Sequence, residues 1–299
     1  MARVVMRGYG LWSAAWFAAW ANQAAALDLA SMWNFDQPQA SEQRFRAALA
    51  TASPDEALIL QTQIARSHGL RGDFAGARAI LVAIAPQLPR AGAEAQVRYQ
   101  LEWGRSWISA THPAALQTDA ARAEARRAYL RALELARAAK LDALAVDALH
   151  MLAFVDAEPA AQLRWDRQAL ELALASGQAE ARQWQASLRN NIGYALYQQR
   201  DYPAALAEFR QALALRQQGK DAAATRVAWW MVAWTLHAGG DDDEALAIQL
   251  RLERENDAAG DPDPDVFDEL AKLYRAHGDS GRAEYYVRRR QEAADHVNH

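Results

Sequence analysis

From residue 40 onward, apolar residues recur at intervals of three and four positions, as they do along one face of an α-helix. Short polar breaks, several of them containing Gly and Asp, separate these segments. The run Ser53-Pro54-Asp55-Glu56 has the features of a helix start: a Ser cap, Pro at the first helical position and Glu three residues after the cap. The pattern therefore predicts an all-helical chain of consecutive helices.

One segment, residues 190–213, has a more specific pattern. A small residue lies midway along its first helix, and its second helix carries Ala, a large residue four positions later and Ala three positions after that. These positions are Gly193, Ala205, Phe209 and Ala212, and Asp201-Tyr202 lies in the turn. The arrangement resembles a tetratricopeptide repeat.

The same register recurs along residues 54–297, with two degenerate copies and an insertion near Thr111 to Thr118. The residues at the small position are Ala65, Gly104, His150, Gly193, Ala233 and Ala271. Their spacings of 39, 46, 43, 40 and 38 residues exceed the usual length of about 34 and resemble the long repeats of bacterial members. The resemblance implies an all-α, right-handed superhelix of about six helix pairs over residues 53–299. Within the preceding segment, residues 27–52, Ser41 to Ala52 is expected to form a capping helix.

The first 26 residues have two open interpretations. Arg3 and Arg7 precede an uncharged run that ends in three alanines, as in a signal peptide. The run is too short and too poor in Leu and Ile for a convincing membrane span, and its three tryptophans are unusual for a signal. The alternative is an N-terminal extension from a misassigned start. The first interpretation places the mature protein in the periplasm or outside the cell, and the second favours the cytoplasm.

Composition narrows the functional classes. The net charge of −4 argues against a nucleic-acid-binding protein, because such proteins rely on a positive surface. The absence of cysteine excludes disulfides, thiolate metal sites and cysteine nucleophiles. The seven histidines form no metal-binding pair on one helix, and there is no phosphate-binding Gly-rich loop. We expect no catalytic residues, no metal and no cofactor.

Candidate binding residues follow from the register. Residues three and two before the small position, and one and four after it, are expected to face a concave groove. The resulting candidates for peptide binding have an arginine-rich start, an amide- and tyrosine-rich middle and a tryptophan-rich end. The candidates at these positions are Arg66, Arg105, Asn190, Asn191, Tyr194, Tyr197, Trp230, Trp234 and His237. Arg98, two turns before Arg105 on the same helix, is added because it could join Arg105.

These side chains suit an extended peptide. Arginine binds carboxylates, an Asn amide can pair with a peptide backbone, and Trp and Tyr are common in binding hot spots. The alternatives are structural. Arg66 and Arg105 could instead bridge Glu102 or Asp147, and adjacent Trp229 and Trp230 cannot both face inward.

The leading hypothesis is therefore a non-enzymatic repeat module that binds another protein or an extended peptide segment in its groove. A second hypothesis is binding or turnover of a small acidic ligand by a polar cluster. That cluster consists of Arg66, Arg105, Asp147, His150 and Asn191. A third is a purely architectural scaffold that uses its convex face. Partner identity and oligomeric state are left open by the sequence.

Overall fold

The structure is a computed structural model that describes residues 27–156 and 158–297, and the predicted signal peptide or extension lies outside them. The described chain is all-α, as predicted, with helices joined by short turns. The helices are α1 (Leu29–Met32), α2 (Pro38–Ala48), α3 (Pro54–Leu70), α4 (Phe74–Ile84), α5 (Ala93–Arg105), α6 (Asp119–Ala138), α7 (Asp142–Val155), α8 (Pro159–Ala175), α9 (Ala179–Arg182), α10 (Gln185–Gln198), α11 (Tyr202–Gln217), α12 (Ala222–Gly239), α13 (Asp242–Ala259), α14 (Pro264–Ala276) and α15 (Ser280–Val297). Two 3₁₀ segments, Ala85–Arg90 and Ala114–Leu116, lie between them.

Within the described part of the chain, the long helices form six consecutive pairs that stack as a right-handed superhelix. The pairs are α3/α4, α5/α6, α7/α8, α10/α11, α12/α13 and α14/α15. Each pair packs against the next, so the hydrophobic core runs through the stack rather than filling one central volume. The first helices of the pairs form one wall, which we call the first-helix wall. It consists of α3, α5, α7, α10, α12 and α14.

The predicted small-and-large register is confirmed inside two pairs. A Cβ atom added to Gly193 would lie 2.8 Å from Cε1 of Phe209, so only glycine lets α10 approach α11 this closely. Gly104 faces the buried ring of Tyr129 in the same way. The third pair replaces both partners with polar groups: His150 Nδ1 lies 3.9 Å from Asp166 Oδ1, and the Asp166 side chain is 3% exposed.

Local capping explains where several helices begin. Ser53 and Glu56 form the predicted reciprocal capping box at the start of α3. Asp73 and Asp201 accept hydrogen bonds from backbone N–H groups of α4 and α11. Asp241 lies at the N-cap of α13 without such a bond. These caps hold the turns between paired helices tight.

Two segments outside the six helix pairs pack against the first pairs. The helix expected over Ser41 to Ala52 spans Pro38–Ala48, and its Phe45 is fully buried against α3. The insertion between α5 and α6 folds back, because the His112 ring stacks on Phe74 at 3.6 Å. Thr111 Oγ1 also donates to the backbone oxygen of Gly69 in α3 at 3.4 Å, so the insertion packs beside both helices of the first pair. No helix in the described ranges has the length and apolar character that spanning a membrane requires.

Candidate functional site

Four aromatic rings from α10 and α12 stack into one continuous array, which we call the aromatic surface (Tyr194, Tyr197, Trp230 and Trp234). The Trp234 ring is central, with centroids 3.5 Å from Tyr197 and 5.5 Å from Trp230, at interplanar angles of 18°. The Tyr194 ring lies 6.2 Å away, nearly parallel. Tyr194 is 45% exposed, whereas the other three rings are half-buried. The array is thus rigidly supported and open at one end.

The two adjacent tryptophans of α12 diverge as their spacing requires. Trp230 joins the aromatic surface, whereas Trp229 lies against Arg251 of α13, whose guanidinium carbon is 3.9 Å from the ring centroid. The two rings therefore face different helices, as adjacent positions on a helix require. One turn before Trp230, Val227 is 59% exposed and extends the apolar area.

Two clefts flank Val227. One, of about 360 Å³, lies between α10, α11 and α12 and is lined by Asn190, Asn191 and Arg216. The other, of about 230 Å³, is lined by Arg226, Trp230 and the acidic turn that precedes α14. Polar groups therefore lie on both sides of an apolar strip, an arrangement that can hold a backbone and an apolar side chain together.

The two asparagines are not equivalent. The Asn191 amide lies 3.1 Å from Nδ1 of His150, so it connects α10 to α7. Asn190 makes no side-chain hydrogen bond within the described residues, and its amide lines the larger cleft. Asn190 is therefore the better placed of the two to pair with a ligand.

The arginine end of the wall is occupied by its own carboxylates. Arg105 donates to Glu102 Oε1 at 2.6 Å and also pairs with Asp147 across to α7. Arg66 lies 3.6 Å from the same Glu102 oxygen. The bridging alternative is what the structure shows, and we call these four residues (Arg66, Glu102, Arg105 and Asp147) the charged cluster.

Burial and charge act in opposite directions in this cluster. Burial raises the pKa of Asp147, but Arg105 and Arg66 outweigh it, so the pKa lies below the ordinary value. Burial and the neighbouring Arg105 lower the pKa of Arg66. Burial opposes the charge of Arg105 too, yet Asp147 and Glu102 raise its pKa overall. The cluster therefore combines two guanidinium groups with two carboxyl groups, and Arg105 bridges Glu102 and Asp147.

The remaining candidates also have partners. Arg98 pairs with Glu94 on its own helix at 2.8 Å rather than joining Arg105. His237 Nδ1 lies 2.9 Å from Glu269, which also accepts from Lys272 at 2.7 Å. The pKa of Tyr197 is raised, chiefly by burial. Arg98 and His237 therefore take part in ion pairs within the wall, whereas Tyr194 of the aromatic surface is 45% exposed.

Sequence reasoning missed several residues at the site. Trp33 and Phe35 stack on each other at 4.8 Å, and Trp33 Nε1 donates to Gln63 Oε1 of α3. The sequence feature that could have identified them is the presence of two aromatic residues shortly before the start of α2. Val227 follows no register position of the wall, and its exposure depends on how α12 is rotated.

Comparison with protein families identifies one match. Residues 184–254 match a tetratricopeptide repeat model, a range that contains all four residues of the aromatic surface. No curated protein matches the chain by sequence.

Several solved structures share the fold. The apo form of RapI has a TM-score of 0.69 and 12% identity, over 89% of this chain and 74% of its own. A Rap protein complexed with competence and sporulation factor has a TM-score of 0.56 and 15% identity, with the same coverage of 89% and 74%. A signal transduction ATPase with numerous domains, which has a tetratricopeptide repeat sensor and comes from Pyrococcus horikoshii, has a TM-score of 0.66 and 13% identity. The match covers 86% of this chain but only 39% of that protein.

Proposed function

Because this chain is a tetratricopeptide-repeat protein, we propose that it binds another protein without catalysis, by holding an extended segment of that partner along the first-helix wall. The aromatic surface holds an apolar side chain of the segment. Asn190 pairs with its backbone, and Val227 extends the apolar contact.

The observation that carries this proposal is the stacked aromatic array of α10 and α12. Trp and Tyr are enriched at binding hot spots because they offer large, rigid contact areas. Tyr197 and Trp230 both stack on Trp234 at interplanar angles of 18°, so little side-chain entropy is lost when a ligand covers it. The 45% exposure of Tyr194 leaves one ring available for contact.

The structural neighbours support the same class of function. The Rap structure is, by its description, a complex with competence and sporulation factor, so a superhelix of this shape can hold a partner. At 15% identity the likeness concerns the fold alone, and the contacts proposed here depend on this chain's own residues.

The polar cluster proposed as an alternative has less support. Arg105 and Asp147 neutralise each other, and the Asn191 amide is paired with His150. An acidic ligand would have to compete with Glu102 and Asp147 for Arg105, at a cost in desolvation and lost ion pairing.

The test selects short peptides from a displayed random library on the intact protein and titrates them calorimetrically. The test variant is Tyr194→Ala combined with Val227→Ser. The control is Tyr285→Ala combined with Val82→Ser, because Tyr285 is 46% exposed and Val82 is 59% exposed, matching the two test residues.

We expect the test variant to weaken peptide binding at least about tenfold, equivalent to about 1.4 kcal/mol, and the control to leave it unchanged. Circular dichroism checks that both variants keep the helical fold. Equal affinity for wild type and test variant, or loss in the control alone, would place the binding surface elsewhere.

A further inference from the structure

A small cavity of about 180 Å³ lies between α3, α5 and α7, and the insertion that follows α5 forms one side of it. Its apolar lining includes Leu70, Met151 and Phe154. Its polar lining consists of Arg66 from α3, Glu102 and Arg105 from α5, His150 from α7, and Ser106, Ser109 and Thr111. The cavity is smaller than the roughly 300 Å³ or more of a drug-sized ligand site, so it suits one small molecule or one side chain.

The two arginines that line this cavity differ in what they already bind. Arg105 is only 12% exposed and is held by Glu102 and Asp147 together. Arg66 is 27% exposed and makes no hydrogen bond within the described residues; its nearest carboxylate oxygen is 3.6 Å away. A guanidinium group carries five N–H donors. Arg66 therefore has more unused donors than Arg105, which already donates to Glu102 and Asp147.

The N-terminal segment holds Arg66 in place. The guanidinium carbon lies 5.7 Å from the ring centroid of Trp33 and 5.6 Å from that of Phe35. These cation–π contacts fix the side chain without using its hydrogens. Its Nε atom is buried, so a ligand would meet the terminal nitrogens.

We propose that this cavity is a binding site for a carboxylate attached to a small apolar group, with the carboxylate on Arg66 and the apolar group against Leu70, Met151 and Phe154. A free carboxylic acid and the C-terminal residue of a peptide chain share this chemistry. The site does not depend on the aromatic surface, which lies on α10 and α12.

A monocarboxylate fits better than a more highly charged anion. A planar guanidinium binds a carboxylate through two parallel hydrogen bonds, and Arg66 makes only a 3.6 Å ion pair with Glu102 and no hydrogen bond within the described residues. Burial and Arg105 lower the pKa of Arg66 by more than Glu102 and Asp147 raise it, so a bound anion would further stabilise its charge.

The test titrates phenylacetate and its amide calorimetrically into the full-length protein. A second pair of probes is the tripeptide Gly-Gly-Phe with a free or an amidated C-terminus. We expect each acid to bind at least about tenfold more tightly than its amide. Binding of the peptide acid alone would identify a chain end as the source of the carboxylate, and binding of phenylacetate would identify a free acid. Saturable binding of neither acid would overturn the proposal.

Three variants locate the site. Arg66→Gln removes the charge and should weaken acid binding at least about tenfold. Gly69→Leu should block the cavity without disturbing the fold, because a Cβ there meets no atom within 4 Å and Leu favours helix more than Gly. Arg131→Gln, at an exposed arginine on α6, is the control and should leave affinity unchanged. Full acid affinity in either Arg66→Gln or Gly69→Leu would contradict the assignment.

Discussion

Two regions of the first-helix wall, which we call its charged end (α5 and α7) and its aromatic end (α10 and α12), satisfy their side chains in different ways. Near α5 and α7, Arg105 is surrounded by Glu102 and Asp147, which are themselves 3% and 9% exposed. Near α10 and α12, aromatic rings stack on one another and leave the Tyr194 ring largely open. The arginine of the charged end is paired with carboxylates of the same wall, whereas the aromatic end keeps an exposed ring that a ligand can contact.

The difference has a simple physical origin. A buried guanidinium needs carboxylates beside it, and each ion pair that forms uses the donors that a ligand would need. Stacked rings use one face for each contact, so the outermost ring of an array always has a face left over. The same wall therefore gives structural support at its charged end and contact area at its aromatic end.

The largest expected effect follows from removing the central cation. Arg105→Met would leave Glu102 and Asp147 buried without their shared partner, and we expect the free energy of unfolding to fall by about 3–5 kcal/mol. Arg131→Met breaks an exposed pair with Glu134 and should cost less than about 1 kcal/mol. Urea unfolding followed by circular dichroism measures both. Similar losses in the two variants would show that the charged end is not a buried ion-pair network.

A smaller effect is expected inside the aromatic half. Gly193→Leu would press against Phe209 and should destabilise the protein by about 1–3 kcal/mol, by forcing α10 away from α11. Its cost should be lower in a Phe209→Ala background, because that change opens the space. Thermal melts of the two single variants and the double variant give the coupling energy. Additive losses would mean that the two residues do not touch.

The charged end should also respond to acid. Since the pKa of Asp147 is lowered by folding, its stabilising contribution is present above the unfolded value of about 3.9 and is lost as pH falls through the folded pKa. The Asp147→Asn variant has no titrating carboxyl at this position, so its stability does not contain this contribution at any pH. The difference in free energy of unfolding between wild type and Asp147→Asn should therefore be smaller at about pH 3 than at about pH 6. Urea unfolding at each pH measures it. A constant gap would refute the linkage.

The smallest change in stability is expected at the open ring. Tyr194→Ala should alter the free energy of unfolding by less than about 1 kcal/mol, because its ring is 45% exposed and only loosely stacked. Tyr285→Ala, at nearly equal exposure, provides the reference in the same unfolding assay. A loss of about 3 kcal/mol at Tyr194 alone would make it a core residue and remove it from the binding surface.

The periodicity of the sequence was sufficient to predict the fold, because helix geometry fixes which residues of paired helices meet, as Gly193 and Phe209 do. The same periodicity predicted that Tyr194 and Trp234 lie on one wall. It could not decide which arginine keeps unused hydrogen-bond donors, because that depends on whether a carboxylate lies 2.6 Å or 3.6 Å from the guanidinium. The insertion near Thr111 has no periodicity, so its return to α3 and the cavity that it closes became visible only in the folded chain.

The central claim is that a partner lies on the aromatic surface, and site-specific photo-crosslinking tests it most directly. Benzoylphenylalanine is placed at position 194 in one protein and at position 285 in another, and each is irradiated with a selected peptide. We predict an adduct at position 194 that unlabelled peptide competes away, and none at position 285. Adducts at position 285 with none at position 194 would contradict the account.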